Sequence, residues 1–195
     1  MKIYVDRNGT APSPRRLRVF LAEKGIEVPY EQLAIHEENR TPEFRKKNPL
    51  STMPVLELDD GTCISESVAI CRYFEELHPD PPLFGSTPEE KAVVEMWTRR
   101  IELYLYLSIE LANEEVMPKE VADRYRRGAY GMMKLLDVEL AERRFIAGSR
   151  YSIADTFALS ALDFGVAYVG FEIPEKRTYL ARWHQEVSAR PSARA

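Results

Sequence analysis

Cysteine is nearly absent from this chain. Among 195 residues only Cys63 and Cys71 occur, and their spacing fits neither a CxxC redox pair nor a zinc site. That argues against a disulfide framework, leaves no metal site to name, and makes a reducing, cytoplasmic setting the plain expectation. Long apolar runs are missing too. No stretch approaches the length of a bilayer span, and the opening Met1-Lys2-Ile3-Tyr4-Val5-Asp6 lacks the pattern of a signal peptide, so no membrane partner is expected. Nor is there a surplus of positive charge. Lysine and arginine number 27 against 31 aspartates and glutamates, a net charge of -4, with basic residues spread throughout. Nucleic acid therefore finds no electrostatic footprint. Internal repeats and low-complexity segments are lacking as well.

What is there is the composition of a soluble globular protein, 45% hydrophobic and 30% charged. The length suits one domain or two small ones with a sizeable core. Periodicity changes character partway along. Ile3-Tyr4-Val5 predicts a short strand. Pro14 to Gly25 predicts a helix with Leu17, Phe20 and Leu21 on one face and Gly25 as its C-terminal cap. A weaker strand is expected around Tyr30 to Ile35. Thr41-Pro42-Glu43 supplies an N-cap, a proline at the first helical position and an acid in the first turn. Val55 to Leu58 and Thr62 to Ile64 flank Asp60-Gly61, a hairpin signal. The helix after Ser65 carries Val68, Cys71, Tyr73, Phe74 and Leu77, with Cys71 on the apolar face.

His78 to Gly85 is rich in proline and reads as a linker. Beyond it everything reads as helical. Thr87-Pro88-Glu89-Glu90 predicts a capping box. Val94, Trp97, Ile101, Tyr104, Ser108 and Leu111 predict one face of a long helix, and Val121, Tyr125, Gly128, Met132 and Leu135 that of a second. In Ser152-Ile153-Ala154-Asp155 the aspartate is placed to accept from the Ser152 amide, a folding element rather than a site. Leu180, Trp183 and Val187 mark a final helix.

One run says most about chemistry. From Asn48 to Ser67 the chain reads Asn-Pro-Leu-Ser-Thr-Met-Pro-Val-Leu-Glu-Leu-Asp-Asp-Gly-Thr-Cys-Ile-Ser-Glu-Ser. It sets a proline at the mouth of a strand, then a tight hairpin, then a helix opening on Ser-Glu-Ser. Backbone left open beside a helix N-terminus suits a small peptide with an α-carboxylate. The run resembles the glutathione-binding half of the cytosolic glutathione S-transferase family, and the helical remainder extends that resemblance over nearly the whole chain. The resemblance implies an α/β plus all-α fold. A thioredoxin-like N-terminal domain would span 1–78, a linker 79–86 and an all-helical C-terminal domain 87–195. It implies glutathione as co-substrate, a small hydrophobic electrophile held against the helical domain, no metal, and a cytoplasmic homodimer active in detoxification. Tyr-type members end their first strand with tyrosine, where this chain has Asp6-Arg7, so it looks like the bacterial serine- or asparagine-type classes. Two alternatives share the scaffold: a glutathione-dependent disulfide reductase or peroxidase, and a non-catalytic glutathione-binding module.

A thiol with a pKa near about 8.5 is only a few per cent thiolate at neutral pH, and the thiolate is the nucleophile. A helix N-terminus with one added donor can stabilise that anion. The turn Thr10-Ala11-Pro12-Ser13-Pro14 is the place in the α/β half with those features. Ala11 stands where many serine-type relatives carry the catalytic hydroxyl, which leaves Ser13 and Thr10 as candidate donors. Ser13 is equally an ordinary N-cap, and Tyr4 a core strand residue. Proline lacks an amide, so Met53-Pro54 marks an edge strand or a strand start. In the family this proline is cis, and the preceding backbone pairs with the cysteinyl residue of glutathione. The resemblance also puts Thr52 near the glycyl end; Arg40 is within reach of the glycyl carboxylate, though a surface arginine beside Asn39 is usually only solvated. Ser67 and the helix amides would hold the γ-glutamyl carboxylate while Glu66 faces its ammonium. The bland alternative is that Ser65 caps the helix and Glu66 favours its dipole. Tyr104 and Tyr106 would border the second substrate.

Overall fold

The computed structural model describes residues 1–195, which divide into two compact units: Met1–Pro81 with Ala195, and Pro82–Arg194. In the first unit the order is β1 (Lys2–Asp6), α1 (Pro12–Lys24), β2 (Tyr30–Leu33), α2 (Pro42–Lys47), β3 (Val55–Glu57), β4 (Cys63–Ser65) and α3 (Ser67–Leu77). The strands lie in the order β2-β1-β3-β4. β1 runs parallel to β2 and antiparallel to β3, and β4 runs antiparallel to β3. This is a thioredoxin-like arrangement. Ile3, Tyr4 and Val5 are buried, as are Leu17, Phe20 and Leu21 of α1 and Ile70, Cys71 and Phe74 of α3. Gly25 closes α1 at φ 64°, where its amide returns to the carbonyls of Leu21 and Ala22. Thr41 caps α2 by accepting from the Phe44 amide at 3.2 Å. β2 stops at Leu33, short of Ile35, where the chain turns: the Ala34 amide donates to Glu38 and His36 stands at φ 70°. The buried ammonium of Lys24 pairs with Glu75 and donates to the carbonyls of His78 and Pro81. One ion pair and two hydrogen bonds thus fasten the end of α1 to α3 and the prolines after it.

The second unit is helical. α4 (Pro88–Arg100) passes through a π-helical turn (Ile101–Tyr106) into α5 (Leu107–Leu111), followed by α6 (Lys119–Glu142), α7 (Ile153–Tyr168) and α8 (Thr178–Ser188). Thr87 caps α4, accepting from the Glu90 amide at 3.2 Å, while the Glu90 carboxylate reaches one residue beyond the usual partner to the Ser86 amide. The π turn changes which face of the long helix is buried. A wider turn holds more residues, so Leu105 follows Ile101 into the core, and Tyr104, expected inside, is 59% exposed. In α6 the buried apolar residues are Ala122, Ala129, Met132, Met133, Leu136 and Leu140, so Met132 is inside as expected while Val121 and Leu135 point outward. Apolar residues sit at adjacent positions there, so spacing admitted two faces. Packing selected the one whose alanines permit close approach. The capping box of α7 forms: Asp155 Oδ2 accepts from the Ser152 amide at 2.9 Å. Asp155 Oδ1 also takes the Ile146 amide at 2.9 Å and the Trp183 indole at 2.8 Å. The Ser152 hydroxyl donates to Oδ2 as well, and burial pushes this carboxyl above its ordinary value although these four donors oppose the rise. Leu180, Trp183 and Val187 of α8 are fully buried.

Candidate functional site

Register brings the candidate segments to one end of the sheet. Tyr4 pairs with Val55, and Val55 pairs with Ser65, each in antiparallel sense. The chain therefore leaves the C-terminal end of β1, enters β3 and leaves β4 all on the same side. Thr10 to Ser13, Met53-Pro54 and Glu66-Ser67 emerge there together. β2 is parallel to β1, so the segment leading to Arg40 leaves at that end too.

At the start of α1 the capping position belongs to Ala11, and its side chain makes no cap. Ser13 is the second helical residue, not the N-cap, because Pro12 carries a backbone angle suited to opening the helix. Pro12 and Pro14 have no N–H, so Ser13 is the sole amide donor among the first three helical positions. The Ser13 hydroxyl accepts from the Arg16 guanidinium at 3.2 Å, and Arg16 is only 2% exposed. The Ala11 amide donates to Asp6 Oδ2 at 3.0 Å, while the other oxygen of this buried carboxylate has no hydrogen-bond partner. Thr10 is exposed in the turn.

Met53-Pro54 is a cis peptide bond. The proline is buried and opens β3, which lies between β1 and β4. The open backbone is thus the mouth of an interior strand, not the edge of the sheet: the ladder begins only at Val55. Met53 packs with Leu33 and Cys63 against Tyr4, Phe44 and Val55. Tyr4 is 3% exposed and donates its hydroxyl to Glu57, which also receives Lys47 at 2.8 Å. That Lys47 bond, then the Tyr4 hydroxyl, holds the Glu57 carboxyl below its ordinary value. Tyr4 is a core and ion-cluster residue.

The loop before Met53 is braced by two buried asparagines that the sequence alone did not single out. Asn39 donates to the Ser51 carbonyl at 2.7 Å and accepts from the His36 amide at 2.7 Å. Asn48, 1% exposed, donates to both the carbonyl and the hydroxyl of Thr52, each at 2.9 Å. The one available signal was Asn48 at the head of the Asn-Pro run. Thr52 is exposed, as is Arg40, whose guanidinium lies 3.0 Å from His36 Nδ1.

Glu66 occupies the N-cap position of α3 at φ 70°, a left-handed conformation uncommon for a side-chain-bearing residue. It is exposed and makes no cap bond. Ser67 is the first helical residue and is 5% exposed. Ser65 ends β4 and does not cap the helix. Cys71 is buried in α3, and burial pushes its thiol far up, which makes it no nucleophile. No cluster of three or more histidine, cysteine, aspartate or glutamate side chains is arranged to hold a metal ion.

Known proteins resemble this chain along nearly its whole length. The family described as glutathione S-transferase, N-terminal domain, matches residues 10–77, and the glutathione S-transferase C-terminal domain matches residues 103–191. Glutathione S-transferase 2 of Saccharomyces cerevisiae is 35% identical over 207 residues, covering 99% of this chain and 88% of its own. The crystal structure of a glutathione S-transferase domain-containing protein from Marinobacter aquaeolei VT8 superposes with a TM-score of 0.91 at 35% identity, over 98% of this chain and 99% of that one. Elongation factor 1-gamma of Equus caballus is 33% identical over 132 residues, 64% of this chain and 29% of that one. The chain belongs to the glutathione S-transferase family of enzymes.

Proposed function

We propose that this enzyme conjugates the thiolate of glutathione to a small hydrophobic electrophile, with glutathione lying across the end of the sheet described above. The observation that carries this assignment is Glu66 held at φ 70° directly before the buried Ser67 at the mouth of α3. A left-handed glutamate costs on the order of 1–3 kcal/mol and persists where the surrounding structure requires it. Here it sets a carboxylate and a helix N-terminus side by side. The γ-glutamyl end of glutathione carries an ammonium and a carboxylate on one carbon. Glu66 faces the ammonium, and the Ser67 hydroxyl with the first amides of α3 faces the carboxylate. The cysteinyl backbone pairs with Met53 ahead of Pro54, as an extended peptide pairs with a strand. The glycyl carboxylate falls near Thr52, with Arg40 as its candidate cation.

The thiol then lies over the first turn of α1. Lowering its pKa by about two units takes about 2.7 kcal/mol of preferential thiolate stabilisation. The helix dipole supplies roughly 0.3–1 kcal/mol, and a charge-assisted bond from Ser13, by amide or hydroxyl, about 1.5–3 kcal/mol. Together these suffice without a side chain at Ala11. Thr10 is the reserve donor. The thiolate attacks the electrophilic carbon and the leaving group departs as the anion. The enzyme works as a cytoplasmic homodimer, as closed two-fold dimers commonly do.

The rival chemistry is reduction of disulfides or peroxides by the same thiolate. Parallel assays with an aryl halide and with a mixed disulfide separate the two. Faster turnover of the halide supports conjugation, and turnover of the disulfide alone overturns it.

A further inference from the structure

The side chain and carbonyl of Asn48 bond to three successive residues of the loop, Leu50, Ser51 and Thr52. Its side-chain amide has two hydrogens, and both go to Thr52, one to the carbonyl and one to the hydroxyl oxygen, at 2.9 Å each. Its Oδ1 accepts from the Leu50 amide at 3.1 Å, and its backbone carbonyl accepts from the Ser51 amide at 2.9 Å. Asn39 takes the Ser51 carbonyl from the other side at 2.7 Å. Ser51 itself stands at φ 57°, so the loop is held in a strained shape by these bonds. Both asparagines are buried, at 1% and 6% exposure, whereas Thr52 is exposed.

The chemistry of the Asn48–Thr52 pair has a direction. A carboxamide nitrogen only donates, so the Thr52 hydroxyl is the acceptor in that bond. A hydroxyl has one hydrogen, and since Asn48 is the donor in this bond that hydrogen is left for an acceptor other than Asn48, on a residue that is exposed. A donor so placed beside the mouth of β3 suits a carboxylate.

We propose that Asn48 is a positioning residue for the C-terminal carboxylate of the bound peptide: it fixes the Thr52 hydroxyl as an outward donor to that group. This rests on the placement of glutathione given above. Asn48 touches no substrate and contributes nothing to thiol activation. Its effect falls on affinity for the glycyl end alone.

Truncating the ligand tests this. γ-Glutamylcysteine keeps the γ-glutamyl group and the thiol but lacks the glycine. Calorimetry on the wild-type enzyme should show glutathione bound about tenfold more tightly than γ-glutamylcysteine. In Asn48→Asp the acceptor toward Leu50 is kept, but both donors toward Thr52 are lost. That variant should lose most of the tenfold preference while its affinity for γ-glutamylcysteine and the thiol pKa of bound ligand stay put. A purely structural role would weaken both peptides alike, and that result overturns the proposal. Thr52→Val, a change on an exposed side chain, should give the same loss of preference, and the double variant no further loss. This arm decides the matter if Asn48→Asp fails to fold: an undiminished preference in Thr52→Val overturns the proposal. If the wild type itself shows no preference for glutathione, the placement of the glycyl end fails, and the role of Asn48 fails with it.

Discussion

Replacing Ser13 by alanine removes a hydroxyl at the second position of α1 and leaves the backbone amide where it is. The amide is the sole donor among the first three helical positions, since Pro12 and Pro14 have none. The variant therefore separates two parts of the same residue. A hydroxyl that contributes one charge-assisted bond to the thiolate raises the bound thiol pKa by on the order of one unit when removed, about 1.4 kcal/mol. If the wild-type thiol titrates near about 6.5, half of it is thiolate at that pH. After a one-unit rise only about one-tenth is, so turnover at pH 6.5 should fall about fivefold. The loss should fade as pH rises past about 8.5, where both thiols are ionised. Arg16 also loses an acceptor for a buried guanidinium, which costs stability of about 1 kcal/mol but does not depend on substrate. Titrating the ultraviolet absorbance of bound thiolate in wild type and variant measures the pKa directly. An unmoved titration refutes a hydroxyl role. If Thr10→Val then shifts it, the donor is Thr10; if neither does, activation comes from the Ser13 amide and the helix dipole.

Ser67→Ala should weaken glutathione binding by about 1–3 kcal/mol through a lost charge-assisted bond, and calorimetry giving unchanged affinity in the folded variant rules the assignment out. Asp155→Asn puts a donor where two donors already converge, because Oδ1 takes Ile146 and Trp183 while Oδ2 takes Ser152 twice. At least one buried donor is stranded, so the unfolding free energy should drop by about 2–4 kcal/mol and Tm by roughly 10 °C in a thermal melt, with glutathione affinity little changed. Light scattering at micromolar concentration should report twice the 22.5 kDa chain mass, and a monomer there would contradict the homodimer.

Much of the architecture was legible along the chain because it rests on bonds between residues three or four apart. Gly25 ends α1, Thr41 opens α2, and Asp155 answers Ser152 for reasons complete within one turn of backbone. The Asp60-Gly61 hairpin and the proline before β3 are equally local, and so is the order of strands and helices that follows from them. Facing was not local. Adjacent apolar residues in α6 allowed two stripes, and a π turn after Arg100 rotated the long helix so that Leu105 took the place expected for Tyr104. The site shows the same division. Ser13, Met53-Pro54 and Ser67 stand out in the sequence, yet only the pairing of Val55 with both Tyr4 and Ser65 puts them at one end of a sheet. Tertiary structure placed β3 inside the sheet, turned Glu66 to φ 70° and buried Asn39 and Asn48 beneath the loop. Those features depend on which polar groups lose water and which distant groups replace it, and that is decided by chain segments far apart in sequence.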